Sequence, residues 1–121
     1  VNKTALIVDD SGVMRQVVAY TLREAGYQVT EAADGKQAVG CLDAGSYNLI
    51  ITDLNMPEMD GVTFITHARK HPQNRFAPIL MLTTESGAEQ RQRGKDAGAT
   101  AWLVKPFDPD KLLAVISKVV R

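Results

Sequence analysis

Four short apolar runs recur along the chain, and each ends in a side chain that can do chemistry. Residues 4–9 (TALIVD) end in an acid, and residues 48–53 (NLIITD) repeat that pattern. Residues 78–83 (PILMLT) end in a hydroxyl, and residues 100–105 (TAWLVK) in a base. Near-continuous apolar runs of this length suit parallel strands covered on both faces, not the in-and-out alternation of a half-wetted sheet. Residues 28–32 (QVTEA) are more polar and fit an edge strand.

Helical stripes fill the gaps. Met14, Val17, Val18, Thr21, Leu22 and Ala25 fall at helical spacing, with Gly26 as the stop. Ala38, Val39 and Leu42 form a shorter stripe closed by Gly45, and Val62, Ile65 and Ala68 a third after Gly61. Asp108 can cap a last helix, Pro109 suits its first position, and Leu112, Leu113, Ile116, Val119 and Val120 make its apolar face. Residues 85–98 also read as a helix, but a mostly polar one weakened by Gly87 and Gly94, so it is expected to be the least firmly held. Five strands alternating with five helices predict an α/β fold with a doubly wound parallel sheet.

With 121 residues, one domain over 1–121 is expected, with no output domain after the fifth helix. A domain of this size buries enough surface to need no disulfide or structural metal. The lone cysteine, Cys41, agrees and reads as a small residue at or near the core. Fourteen basic and fourteen acidic residues cancel, which argues against a dedicated nucleic-acid binder. No apolar run is long enough to span a membrane and no export leader opens the chain, so the cytoplasm is the expected compartment.

In doubly wound sheets, ligands bind outside the carboxyl ends of the strands. This chain places Asp9, Asp10, Asp53, Thr83, Thr84 and Lys105 there. Two carboxylates ~5 Å apart repel by about 3 kcal/mol at an effective dielectric of ~20. Three converging carboxylates therefore call for a cation. Mg2+ suits them, because it takes oxygen ligands in octahedral geometry and keeps several waters, one of which a phosphate oxygen could replace. Taken singly, each residue has a plainer reading: a strand-end aspartate caps helices and forms turns, a threonine makes ordinary hydrogen bonds, and a lysine is solvated. The specific signal is their coincidence after the correct strands of one sheet.

The segments VDDS (8–11), DLNMPEMDG (53–61), TTE (83–85) and KPF (105–107) resemble the receiver domains of two-component response regulators, and among these the stand-alone chemotaxis type. The resemblance covers the whole chain. It implies a five-stranded parallel sheet of flavodoxin-like order 2-1-3-4-5 with five helices. It implies Asp53 as phosphoacceptor, and Mg2+, or Mn2+ in its place, held by the carboxylates of Asp10 and Asp53, by Asp9 through water and by the backbone carbonyl of Asn55. Lys105 would pair with the phosphoryl group, Thr83 and Thr84 would form the switch beside it, and Lys105-Pro106 would be a cis peptide. Met56-Pro57 and Gly61 would shape the neighbouring loop. Asn55 and Glu85 would tune hydrolysis by orienting water. Trp102, where the family usually carries tyrosine or phenylalanine, would turn inward on activation. A second departure, Leu54 where tryptophan can follow the acceptor, leaves this set untouched.

The implied activity is a signalling switch that takes up and hydrolyses its own phosphoryl group without turning over an external substrate. Implied partners are a chemotaxis-type sensor histidine kinase, a flagellar motor switch protein or other output target, and a phosphatase, with the chain acting as a monomer. Rival readings within the family are a phosphorelay intermediate and a receiver excised from a larger regulator. An aspartyl phosphatase would want a second acid at position 55, which is Asn55, and a flavin carrier a hydroxyl- and glycine-rich loop where this chain has Asp9 and Asp10. A degenerate docking receiver would lack the intact acid, hydroxyl and lysine set.

Overall fold

The computed structural model of the chain describes residues 3–84 and 88–120. Five strands, β1 (Lys3–Val8), β2 (Tyr27–Ala32), β3 (Leu49–Asp53), β4 (Ile79–Thr83) and β5 (Ala101–Val104), alternate with five helices. The helices are α1 (Gly12–Glu24), α2 (Gly35–Ala44), α3 (Gly61–Lys70), α4 (Ala88–Ala97) and α5 (Pro109–Val119). All strand pairs are parallel, in the order β2-β1-β3-β4-β5. The fold class is the expected one, and β2 lies at an edge.

The apolar runs are continuous because successive residues feed two cores. Leu6, Val8, Ile50, Ile79 and Met81 face α2 and α3 and pack with Leu42, Phe64 and Ile65. Ala5, Ile7, Leu49, Ile51, Leu80 and Leu82 face α1 and α5 and pack with Val18, Leu22, Leu112 and Ile116. Every residue of β3 and β4 is buried. Cys41 is half-buried against the first core.

Four helices begin at a side-chain cap. Ser11, Asp34, Asp60 and Asp108 accept from the N–H of Met14, Gln37, Thr63 and Lys111. Only the last was read as a cap from the sequence. The α1 stripe is also corrected: Val18, Ala19, Thr21 and Leu22 are buried, whereas Val17 is 46% exposed. Val13, Val17 and Tyr20 instead form an apolar strip on the surface. Helix α1 ends before Gly26, whose φ of 96° suits glycine.

Helix α4 buries only Gly94, which lies so close to Met81 that a Cβ would come within 2.6 Å of its Cε. Ala97 packs partly buried against the first core, and the remaining attachments run through charged side chains. Arg93 pairs with Asp60 at 3.6 Å, and the Arg91 guanidinium sits 5.0 Å from the centre of the Trp102 ring. Past its last turn, Arg69 of α3 donates to the Gly98 carbonyl through Nε (2.9 Å) and Nη2 (2.7 Å). The same guanidinium donates to the carbonyls of Arg75 (2.8 Å) and Ala77 (2.6 Å). Few buried apolar contacts mean low local stability. Amide hydrogen exchange should therefore be faster in α4 than in α1, α2, α3 or α5, and fastest in its first two turns, which lie farthest from Arg69. Mass spectrometry of exchanged peptides measures this directly.

Candidate functional site

Parallel pairing brings the carboxyl ends of β1, β3, β4 and β5 to one edge of the sheet. Val8 stands opposite Thr52, Asp53 opposite Leu82, and Thr83 opposite Val104. The residue after β1, the last of β3, the last of β4 and the residue after β5 are thus Asp9, Asp53, Thr83 and Lys105. Asp9, Asp53 and Thr83 are buried, and Asp10 is exposed at the rim.

Carboxylate oxygens of Asp9, Asp10 and Asp53 lie within 4.8 Å of one another. Into this cluster comes the Lys105 ammonium, 13% exposed, 3.1 Å from Asp9 Oδ2 and 3.3 Å from Asp53 Oδ1. The Lys105 backbone N–H donates to the Thr83 carbonyl at 2.7 Å, and its peptide bond to Pro106 is cis. Asp9 is doubly engaged, because its Oδ1 also accepts from the Ser11 N–H at 2.9 Å. Burial raises the Asp53 pKa above the usual carboxylate value. Asp9 and Asp10 push the same way, and Lys105 opposes them.

The loop between β3 and α3 forms one wall. Leu54 N–H donates to the Leu82 carbonyl and Gly61 N–H to the Leu54 carbonyl, at 2.9 and 2.8 Å. Met59 N–H donates to the Pro57 carbonyl at 2.7 Å, across Glu58, whose φ of 67° is that of a tight γ-turn. Gly61 has no room for a side chain: a Cβ would collide with the Asp53 carbonyl oxygen and lie 2.9 Å from Leu54 Cα.

Asn55 is exposed in this loop and Thr84 is exposed beyond β4. Glu85, expected to help orient water, lies outside the described residues. Trp102 stands apart from the acid cluster, 37% exposed on β5 beneath Arg91. The sequence reading missed Arg15, whose Nη1 donates to the Asp9 carbonyl at 2.7 Å, and Glu31, whose carboxylate lies 3.4 Å from Arg15 Nε. Neither belongs to the strand-end pattern that picked out the other residues.

The donor set fits a hard divalent cation. All its ligands are oxygens, one each from Asp9, Asp10 and Asp53; both Asp9 oxygens and one Asp53 oxygen already face donors, which leaves Asp10 and the second Asp53 oxygen the least engaged among the described residues. Mg2+ is the natural choice for so few protein ligands with open water positions.

A sequence profile described as the response regulator receiver domain matches residues 5–117. Chemotaxis protein CheY-3 of Vibrio cholerae is 36% identical over 119 residues, 98% of this chain and 92% of that protein. The phosphate regulon transcriptional regulatory protein PhoB of Escherichia coli is 36% identical over 116 residues, 96% of this chain. The chain spans about half of PhoB's length (51%). Among solved structures, chemotaxis protein CheY4 of Vibrio cholerae is 47% identical and superposes with a TM-score of 0.95, covering 99% of this chain and all of that one (100%). The receiver domain of a Pseudomonas aeruginosa sensor histidine kinase, solved with a magnesium ion in its active-site cleft, is 31% identical with a TM-score of 0.89, covering 98% of each chain.

Two outcomes follow from this geometry. A carboxyl whose pKa is raised on folding adds stability that is complete below its unfolded pKa and lost as pH rises through the folded pKa. Without divalent metal, Asp53→Asn should therefore stabilise the protein by roughly 1–2 kcal/mol at pH 7, since Lys105 already offsets part of the repulsion. The gain should vanish in acid, and urea unfolding at several pH values reads both. Gly61→Ala should cost about 1–3 kcal/mol by pressing on Asp53 and Leu54, seen as a lower urea midpoint.

Proposed function

The chain belongs to the response regulator receiver domain family, and on that premise we propose that it is a phosphorylation-driven switch with Asp53 as acceptor and chemotaxis as its output. One observation carries the reading. A buried strand-end carboxylate, Asp53, lies between a part-buried ammonium and two further acids at the mouth of the sheet.

Asp10 and Asp53 would hold Mg2+ through their carboxylates, Asp9 through water and Asn55 through its backbone carbonyl. When bound, the ion screens the carboxylates and withdraws charge from the phosphoryl oxygens. An Asp53 oxygen attacks phosphorus in line with the leaving group of a phosphohistidine. The new O–P bond forms as the P–N bond breaks and the imidazole departs. Lys105, already within reach of Asp53, trades carboxylate contact for a phosphoryl oxygen. The Thr83 hydroxyl donates to another, with Thr84 beside it. Trp102 moves from its place beneath Arg91 into the space behind Thr83 and reshapes the surface of α4, β5 and α5. Asn55 and Glu85 orient the water that attacks phosphorus. The O–P bond then breaks, releasing inorganic phosphate and restoring the Asp53 carboxylate. The protein consumes only its own phosphoryl group and turns over no external substrate.

The chemotaxis reading draws on the likeness to CheY4 at 47% identity and to CheY-3. Its partners would be a chemotaxis-type histidine kinase in the cytoplasm, a flagellar motor switch protein or another motility target, and a phosphatase. Among the described residues no helix is long and apolar enough to cross a membrane. A second reading, a receiver that belongs to a transcriptional regulator, draws on the 36% identity with PhoB, of which this chain matches about half (51%).

Incubated with Mg2+ and a small acyl phosphate, the protein should gain one phosphoryl group, mapped to Asp53. Asp53→Asn should gain none, a chelator should suppress uptake, and Lys105→Ala should slow it by about 100-fold, the usual cost of losing one charge-stabilising donor. Labelling of Asp53→Asn at the wild-type rate would overturn the assignment. With a beryllofluoride phosphoryl mimic, tighter capture of a motor switch protein supports chemotaxis, and its failure with gain of a transcription partner supports the second reading.

A further inference from the structure

Asp10 is the exposed member of the acid cluster, and among the described residues no ion pair or hydrogen bond restrains its carboxylate. Its aim is therefore set by its backbone. That backbone is held from the Asp9 side at three points. Asp9 N–H donates to the Ala32 carbonyl at 3.2 Å, Ser11 N–H donates to Asp9 Oδ1 at 2.9 Å, and Arg15 Nη1 donates to the Asp9 carbonyl at 2.7 Å. The last bond is the informative one. The Asp9 carbonyl lies in the same planar peptide unit as the Asp10 nitrogen, so fixing its oxygen fixes the plane from which Asp10 projects.

Arg15 reaches back from the first turns of α1 and is itself held. Its Nε lies 3.4 Å from Glu31 Oε1 on the neighbouring strand, and both side chains are only partly exposed, at 23% and 31%. Arg23 approaches the other Glu31 oxygen at 3.4 Å but is 53% exposed. A guanidinium can bond a carbonyl and a carboxylate at once through separate N–H groups, whereas a lysine ammonium on a flexible stem cannot keep both in fixed geometry.

We infer that Arg15, steadied by Glu31, is a positioning residue for the metal ligand Asp10. It touches neither metal nor phosphoryl group and acts through the Asp9–Asp10 peptide. The inference rests on the Mg2+ reading given above. Charge alone predicts the opposite of positioning. A cation beside an acidic site repels Mg2+, so removing it should tighten binding. Partners that orient a metal ligand from behind typically contribute 10–100-fold in affinity.

The experiment is titration of the folded 121-residue chain with Mg2+ at fixed ionic strength, followed by calorimetry, with Asp10→Asn, Arg15→Ala, Arg15→Lys and Arg23→Ala as variants. Arg15→Ala should bind Mg2+ about tenfold more weakly despite the loss of a positive charge. Arg15→Lys should weaken it too, and Arg23→Ala should leave it unchanged. With Mn2+ as the probe, water-proton relaxation per bound ion should rise in Arg15→Ala, because water replaces a misaimed Asp10 oxygen; a change in fold stability alone does not produce that signature. If Arg15→Ala is too unstable to titrate, Arg15→Lys carries the test. Unchanged or tighter Mg2+ binding in the arginine variants, with Asp10→Asn still weakened, overturns the positioning role. Unchanged binding in Asp10→Asn overturns the underlying metal reading instead.

Discussion

The Lys105 ammonium lies between Asp9 and Asp53, and the rest of the molecule can be read as the means of putting it there. Lys105 and Asp9 are 96 residues apart, so their contact closes nearly the whole chain. A charge drawn this far into the protein needs partners, and Asp9 and Asp53 are both buried beside the part-buried lysine. Two carboxylates hold one ammonium, leaving an excess of negative charge that Asp10 increases. That excess suits the edge of the sheet to a divalent cation. The parallel sheet is what allows it, because all strand ends of one polarity lie on one side. The ammonium also crosses the end of β4, where its own backbone is pinned to Thr83.

Much of this was legible in the sequence for a simple reason. Strands buried on both faces have few polar positions, so β1, β3 and β4 stand out as largely apolar runs, with the buried Thr52 as the exception inside β3, and each run closes at or beside a charged or hydroxyl residue. The site residues are those same ends. Helix faces were harder to read. Val17 and Val18 are adjacent and equally apolar, yet one is exposed and the other buried, because periodicity does not say which side of a broad stripe meets the sheet. Asp34 and Asp60 cap their helices without an apolar stripe that marks them as caps in the sequence, and Asp60 lies inside the DLNMPEMDG segment. Arg15 and Glu31 left no mark at all. Their contact depends on where a helix lands beside an edge strand, and charged residues on either element look like ordinary solvated surface.

Helix α4 shows the limits of composition in another way. Its polarity was read as weak attachment, and among the residues of α4 only Gly94 is buried. The attachments it does have could not be foreseen from pattern. Arg91 lies over an aromatic ring, Arg93 meets the aspartate that caps α3, and a missing side chain at Gly94 lets the helix settle on Met81. Contacts of the first two kinds contribute modestly in exposed settings and are exchanged readily.

The guanidinium of Arg69 gives that helix a direction. By gripping the Gly98 carbonyl, and at the same time the carbonyls of Arg75 and Ala77, it makes the trailing end of α4 part of the rigid body. A rod held more firmly at one end tilts more readily at the other. At 1.5 Å per residue the helix is about 15 Å long, so a tilt of about 4° about Gly98 carries its leading turn by about 1 Å. That leading turn follows closely in sequence on Thr83 and Thr84. The pivot therefore sits at the quiet end of the lever arm, and a small displacement beside the acid cluster is met where the helix has its greatest travel.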